Sequence, residues 1–238
     1  MIQTSWLPEK IKFIEANPIP SADSPGIGVA YSHQRYILKV AQPHHPHLPA
    51  TEWICHGLAF ALGFAVPHWC VCILPDGVAC FGSRMEGAVV PGQVLPGALQ
   101  QYINPEAISK TYALDLFLGN TDRHPGNWLV TLTGGVRLLR PIDFSRALLT
   151  QWPMPIPPWQ KGCNSHTYYQ LCAYLNTIEK IDVLQTVDDI VMFPKHTWRK
   201  IIESVPPEWL SDTLKRELIN WWLSPMWSTR LNWIKDQT

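Results

Sequence analysis

Two short segments carry the side chains of this chain best suited to chemistry on a phosphate. Asp122-Arg123-His124-Pro125-Gly126-Asn127 offers a carboxylate and a carboxamide on one loop, and Pro141-Ile142-Asp143-Phe144 offers a second carboxylate. In phosphoryl transfer an aspartate accepts or orients the proton of the attacking hydroxyl. An asparagine on the same loop and an aspartate further on hold magnesium. Oxygen donors of this kind suit Mg2+, which keeps several waters and draws other ligands from phosphates. Asp, His and Asn are also common turn formers; the occurrence of two linked motifs at this separation favours chemistry over a plain exposed loop.

The same chemistry needs a cation for the α- and β-phosphates and a carboxylate to hold that cation. Lys39, in the strand-like run Tyr36-Ile37-Leu38-Lys39-Val40, fits the first role, and Glu52, near the start of the next helical stretch, fits the second. Upstream, Ser21-Ala22-Asp23-Ser24-Pro25-Gly26-Ile27-Gly28 lies where a phosphate-covering loop belongs. Ser24 belongs to that loop, and Gly26 and Gly28 would let backbone N–H groups approach the phosphates. Gly82-Ser83-Arg84-Met85-Glu86-Gly87 falls at the place of a hinge, where backbone groups near Met85 and Glu86 would meet adenine. Arg84 reads equally well as an ordinary surface charge.

The elements that must position these residues follow from period and punctuation. Ile11–Glu15, Ile27–Tyr31 and Tyr36–Val40 read as strands, the last two joined at His33-Gln34. Ala50–Leu62 has helical spacing and ends near Gly63. Val66–Leu74 and Val78–Arg84 flank Pro75-Asp76-Gly77, a tight-turn signal between alternating runs. This first half predicts a five-stranded antiparallel sheet with one helix. The Gly- and Pro-rich run 87–97 divides a sheet-bearing unit, residues 1–87, from a mainly helical one, residues 88–238. In the second unit, Pro105–Leu118 predicts a helix stopped at Gly119, and Trp128–Leu132 with Val136–Ile142 a hairpin that exits at Asp143. Four prolines between Gln151 and Lys161 predict an extended loop. From His166 onward the pattern is helical, with breaks near Pro194, Pro206-Pro207 and Pro225 and tryptophans expected in the interhelical core. The fold class is α+β.

Bulk properties exclude several alternatives. At 238 residues with 46% hydrophobic content and 16% charge, the chain is long and apolar enough to fold as a globule. Lys plus Arg equals Asp plus Glu at 19 each, so no broad footprint for direct nucleic-acid binding is indicated. Neither a signal peptide nor an apolar run of membrane-spanning length is evident, so a cytoplasmic, membrane-free location is expected. The cysteines lack zinc-ligand spacing and are expected as buried thiols, Cys70 and Cys72 on one strand face. His44-His45-Pro46-His47 has side chains that could coordinate a metal, but its prolines mark a loop and favour a solvated linker.

The Asp122-Arg123-His124-x-x-Asn127 loop and the Ile142-Asp143-Phe144 motif resemble those of the HipA-like serine/threonine kinases and, beyond them, the phosphatidylinositol kinases. The resemblance implies a bilobal protein-kinase-like fold using ATP and Mg2+. It makes Asp122 the catalytic base and Asn127 and Asp143 the magnesium ligands. His124 supports the loop and nearby phosphate charge, and Ser21 or Ser24 becomes a candidate for autophosphorylation. The implied acceptor is a protein hydroxyl. A toxin of a toxin–antitoxin system is one form this takes, with a translation factor or tRNA synthetase as target and an antitoxin as partner. The resemblance is specific over Lys39–Arg146. No Ala-Pro-Glu segment follows Asp143, and the proline-rich loop takes that place, with Arg146 and Lys161 as candidates to meet substrate. A lipid or small-molecule kinase, and an inactive kinase fold serving as a nucleotide-binding or interaction module, stay open beside this reading.

Overall fold

A computed structural model describes residues 7–16, 23–86, 88–89 and 102–237. Ser21 and most of the expected boundary run 87–97 therefore lie outside the described residues. The first half contains β1 (Glu9–Glu15), β2 (Ile27–Ala30), β3 (Arg35–Lys39), α1 (Leu48–Ala61), β4 (Trp69–Ile73) and β5 (Ala79–Arg84). The second contains β6 (Ala88–Val89), α2 (Ala107–Leu118), β7 (Trp128–Thr133), β8 (Val136–Pro141) and a 3-10 turn at Leu148–Gln151. The helices α3 (Asn164–Tyr174), α4 (Lys180–Met192), α5 (Lys195–Glu203), α6 (Asp212–Trp221) and α7 (Pro225–Gln237) follow.

The first five strands curl into a closed barrel in the order β1-β2-β3-β5-β4. Four of the pairings are antiparallel, but the barrel closes in parallel, Glu9 against Cys72 and Lys10 against Ile73. This corrects the purely antiparallel sheet expected from sequence. The reason is burial: Ile11, Ala30, Tyr36, Leu38, Cys70, Cys72 and Cys80 form one apolar cluster, and closing the sheet covers it without leaving edges exposed. Cys70 and Cys72 do share a face, their sulfurs 3.9 Å apart.

Alternate residues Trp69 and Phe81 point the other way, into a cluster that runs continuously through α1, α2 and the C-terminal helices. Trp53 on α1 donates its indole N–H to Ser204 Oγ at 2.9 Å and meets Trp209 edge-on at 5.8 Å. The helix that carries Glu52 is thereby tied to the C-terminal part of the chain. Trp198, Trp209, Trp221, Trp222 and Trp227 are buried as expected, Trp198 and Trp222 stacked at 4.7 Å. The expected break near Pro225 separates α6 from α7, and Pro225 itself begins α7, because the first turn needs no N–H donor from it. Cys163 is only half-buried, unlike the other cysteines. Its sulfur accepts the His166 N–H as the cap of α3. Among the described residues no helix is long and apolar enough to cross a membrane.

Candidate active site

The sequence-predicted residues converge from separate elements. Lys39, at the end of β3, is 3% exposed, and its Nζ donates to Asp143 Oδ2 at 2.7 Å. Glu52, one turn into α1, is fully buried, its Oε1 4.0 Å from the same Nζ. That separation is an ion pair without a hydrogen bond. Among the described residues neither Glu52 carboxylate oxygen has a hydrogen-bond partner, although His56 Nδ1 lies 3.4 Å from Oε2. Burial alone would lower the Lys39 ammonium, but Asp143 and Glu52 outweigh it and raise it. Burial alone would raise the Asp143 carboxyl, yet Lys39 and Ser145 hold it well below the usual carboxylate range. Both groups are therefore charged at neutral pH.

Asp143 leaves β8 with φ 60°, a left-handed conformation that non-glycine residues seldom adopt. The bend turns its carboxylate onto Lys39 and lets Ser145 Oγ approach Oδ1 at 2.6 Å. The β7–β8 register pairs Trp128 with Pro141, and the Ile142 N–H donates to Asn127 O at 3.2 Å. The hairpin thus sets Asn127 beside the residue preceding Asp143. Asn127 Nδ2 donates to Asp122 O at 2.7 Å, which leaves Oδ1 as the atom this amide can offer a cation. Asp122 accepts from Asn164 Nδ2 at 2.6 Å, and its N–H donates to Asn120 Oδ1 at 3.2 Å. His124 turns back on its own loop, its Nδ1 accepting the Gly126 N–H at 3.1 Å.

The remaining expected residues have structural roles of their own. Ser24 Oγ accepts the Gly26 N–H at 3.3 Å. Gly26 has φ 143°, and a Cβ there would overlap Glu15 O, so the turn into β2 requires glycine. Gly28 lies within β2, paired with Ile14 and Tyr36, and not in the loop. A Cβ on Gly28 would meet Leu38 and Ile11, so close packing inside the barrel accounts for it. The Met85 N–H donates to Arg35 O at 2.8 Å. The Glu86 carboxylate accepts from His68 N at 3.0 Å and from Arg140 at 2.8 Å, tying β5 to β4 and β8.

Sequence reasoning missed the residue that binds the two motifs together. Arg123 is fully buried and donates to Asp115 on α2 from Nε at 2.8 Å and from its second terminal nitrogen at 3.1 Å. Its other terminal nitrogen donates to Asn127 O at 2.7 Å and to Ile142 O. The guanidinium also lies 5.0 Å from the Phe144 ring centroid and 5.4 Å from that of Trp128. Tyr169 and Asn120 complete the shell of Asp115 at 2.6 and 3.0 Å. The available signal was a lone carboxylate inside the apolar register Ala113-Leu114-Asp115-Leu116-Phe117, since a buried charge requires a partner.

A second missed group is Asp23. Its Oδ2 accepts from Ser145 Oγ at 3.0 Å and its Oδ1 from Arg146 at 3.0 Å, so the covering loop is pinned beside Asp143. The His44-His45 loop, expected as a solvated linker, lies against it: ligand atoms of Asp23, His44 and His45 are within 4.8 Å of one another. His45 is half-buried there.

The donor set fits a nucleotide with magnesium. Asn127 and Asp143 would hold the cation and Lys39 the phosphates. With Asp143 engaged by a cation, the Glu52 carboxylate, 4.0 Å from Lys39 Nζ, would be the group left to pair with that ammonium. Bound magnesium would neutralise phosphate charge during transfer.

No protein-family model matches the chain, and no curated protein matches it in sequence. Similar folds are found among solved structures. The Helicobacter pylori proinflammatory kinase CtkA aligns with a TM-score of 0.61 at 15% identity, over 97% of this chain and 98% of its own. The HipA toxin of Shewanella oneidensis MR-1, solved with HipB and operator DNA, aligns with a TM-score of 0.54 at 14% identity, over 88% of this chain. The match covers 59% of that chain. By structure, then, this chain has the fold of the HipA-like kinases.

Proposed function

We propose that this chain is an ATP- and Mg2+-dependent phosphotransferase that acts on a serine or threonine hydroxyl of a protein. The observation that carries the reading is the convergence of Lys39, Glu52 and Asp143 from β3, α1 and the exit of β8. Residues 1–87 form the nucleotide-covering lobe and 88–238 the catalytic lobe. Asp122 orients the acceptor hydroxyl and takes its proton, and Asn164 holds the carboxylate in place meanwhile. Lys39 draws charge from the phosphates, and His124 keeps the loop compact. Adenine meets the backbone near Met85 and Glu86. The Gly26 turn places the covering loop, with Ser24 as an autophosphorylation candidate.

The likeness to HipA favours a toxin role, with a translation protein as target and an antitoxin as partner. The decisive experiment incubates labelled ATP and Mg2+ with a cell lysate and the purified chain, wild type beside Asp122→Ala. Transfer to protein by wild type, abolished in a variant that still binds nucleotide, supports the reading. Equal transfer by both would remove Asp122 from the chemistry. Absence of nucleotide binding in wild type would overturn the kinase reading itself.

A further inference from the structure

Parts of α2, α3, the start of α4, α7 and the proline-rich loop line a cavity of about 660 Å3. That volume is within the range of small-molecule sites. None of Lys39, Glu52, Asp122 or Asp143 lines it, so it is separate from the proposed nucleotide site. Its walls include the rings of Tyr112, Trp159 and Tyr169. Tyr112 and Tyr169 are 4.6 Å apart between centroids, and Trp159 lies parallel to Tyr169 at 6.0 Å and 10°. Lys161, His166 and Lys180 also line it, against Glu179 as the one carboxylate among the described lining residues. Both lysines are exposed, without an ion-pair partner among the described residues.

Aromatic faces stack on a flat ring, and ammonium groups at the same cavity favour an anion over a cation. The cavity is also wired to the catalytic loop. Tyr169 donates its hydroxyl to Asp115, Asp115 holds Arg123, and Arg123 holds Asn127 O and Ile142 O. The helix that carries His166 and Tyr169 begins at Asn164, which donates to Asp122. We propose that this cavity binds a small planar aromatic anion, and that its occupancy orders the loop 120–127 through Tyr169. Tyr112 and Trp159 are half-buried and offer ring surface to the cavity, whereas Tyr169 is 3% exposed and packs on both. Ligand stacked on them restrains Tyr169, and through it Asp115 and Arg123, which couples the sites by ordering without any large displacement.

The binding claim does not depend on the kinase reading. It is tested with the fluorescent probe 8-anilinonaphthalene-1-sulfonate on the native chain, near-UV dichroism serving to show that packing is intact. The expected result is one saturable site that persists under saturating ATP and Mg2+. Its affinity should fall at least fivefold when Lys161 and Lys180 are both changed to Glu. Naphthylmethylammonium, a ring of the same kind bearing a cation, should bind more weakly than the sulfonate. Hydrogen exchange of amides 120–127 should slow on binding. Tyr169→Phe should bind the probe within twofold of wild type and lose that slowing. Displacement by ATP, indifference to the lysine changes, tighter binding of the cation, or exchange that ignores the probe would each overturn the proposal. An unsaturable signal would show adventitious surface binding only, with the same consequence.

Discussion

The buried arginine gives the strongest test of how the site is held together. In Arg123→Met the apolar stem remains and the guanidinium is lost, leaving the Asp115 carboxylate fully buried with Tyr169 and Asn120 as its side-chain partners among the described residues. Removing one member of a buried pair costs about 3–5 kcal/mol. The two surviving hydrogen bonds place this case near the lower bound, and losing the donor to Asn127 O and Ile142 O adds about 1 kcal/mol for each carbonyl. A total of about 4–5 kcal/mol is a large part of the roughly 5–15 kcal/mol by which domains are stable. With a urea slope of about 2–3 kcal/mol per molar, the midpoint should fall by roughly 1.3–2.5 M. The double variant Arg123→Met, Asp115→Asn carries no orphaned charge, so it should be more stable than the sum of its singles by about 2 kcal/mol. Urea titrations followed by tryptophan fluorescence measure both quantities. A loss under about 1.5 kcal/mol in the single variant, or strict additivity in the double, would refute the claim that this arginine is the clasp between α2 and the two motifs.

Other substitutions probe the site piece by piece. Magnesium should raise the melting temperature of the ATP complex, and Asp143→Ala should remove the magnesium-dependent part; an unchanged shift would exclude Asp143 as a ligand. The low Asp143 carboxyl stabilises the fold above its unfolded value near pH 3.9, and that contribution drains away as pH falls towards the folded value. The urea midpoints of wild type and Asp143→Asn should therefore differ by a constant amount from neutrality to about pH 5 and converge below about pH 4, whereas parallel curves down to pH 3 would contradict the depressed carboxyl. Gly26→Ala must move β1 or β2 to clear Glu15 O, at a cost of about 1–3 kcal/mol, and calorimetry should detect it. Iodoacetamide at pH 8 should alkylate Cys163 first. Burial pushes the Cys80 thiol up to about 12 and Cys172 up to about 11, so label found first on either would show that the core opens locally.

Much of the fold was legible because its elements have one wet face and one dry one. The Asp76-Gly77 turn, the Gly119 helix stop and the β7–β8 hairpin are local features, and local chemistry decides them. The parallel closure of β1 on β4 was not legible, since it pairs residues more than sixty positions apart whose side chains carry no mark of direction. Arg123 was read as part of a motif without a role, because its partner Asp115 sits in a different helix and only burial reveals that each needs the other.

The sequence by itself determined which groups are available: an aspartate and an asparagine on one loop, an aspartate after a hairpin, a strand lysine and a helix glutamate. Only the tertiary structure decided how they engage. It gave Lys39 to Asp143, left the Glu52 carboxylate buried at 4.0 Å without a hydrogen bond, and pinned Asp23 beside them through Ser145. The physical reason is that residue type is a local property, whereas the partner of a buried charge is set by which elements the core draws together.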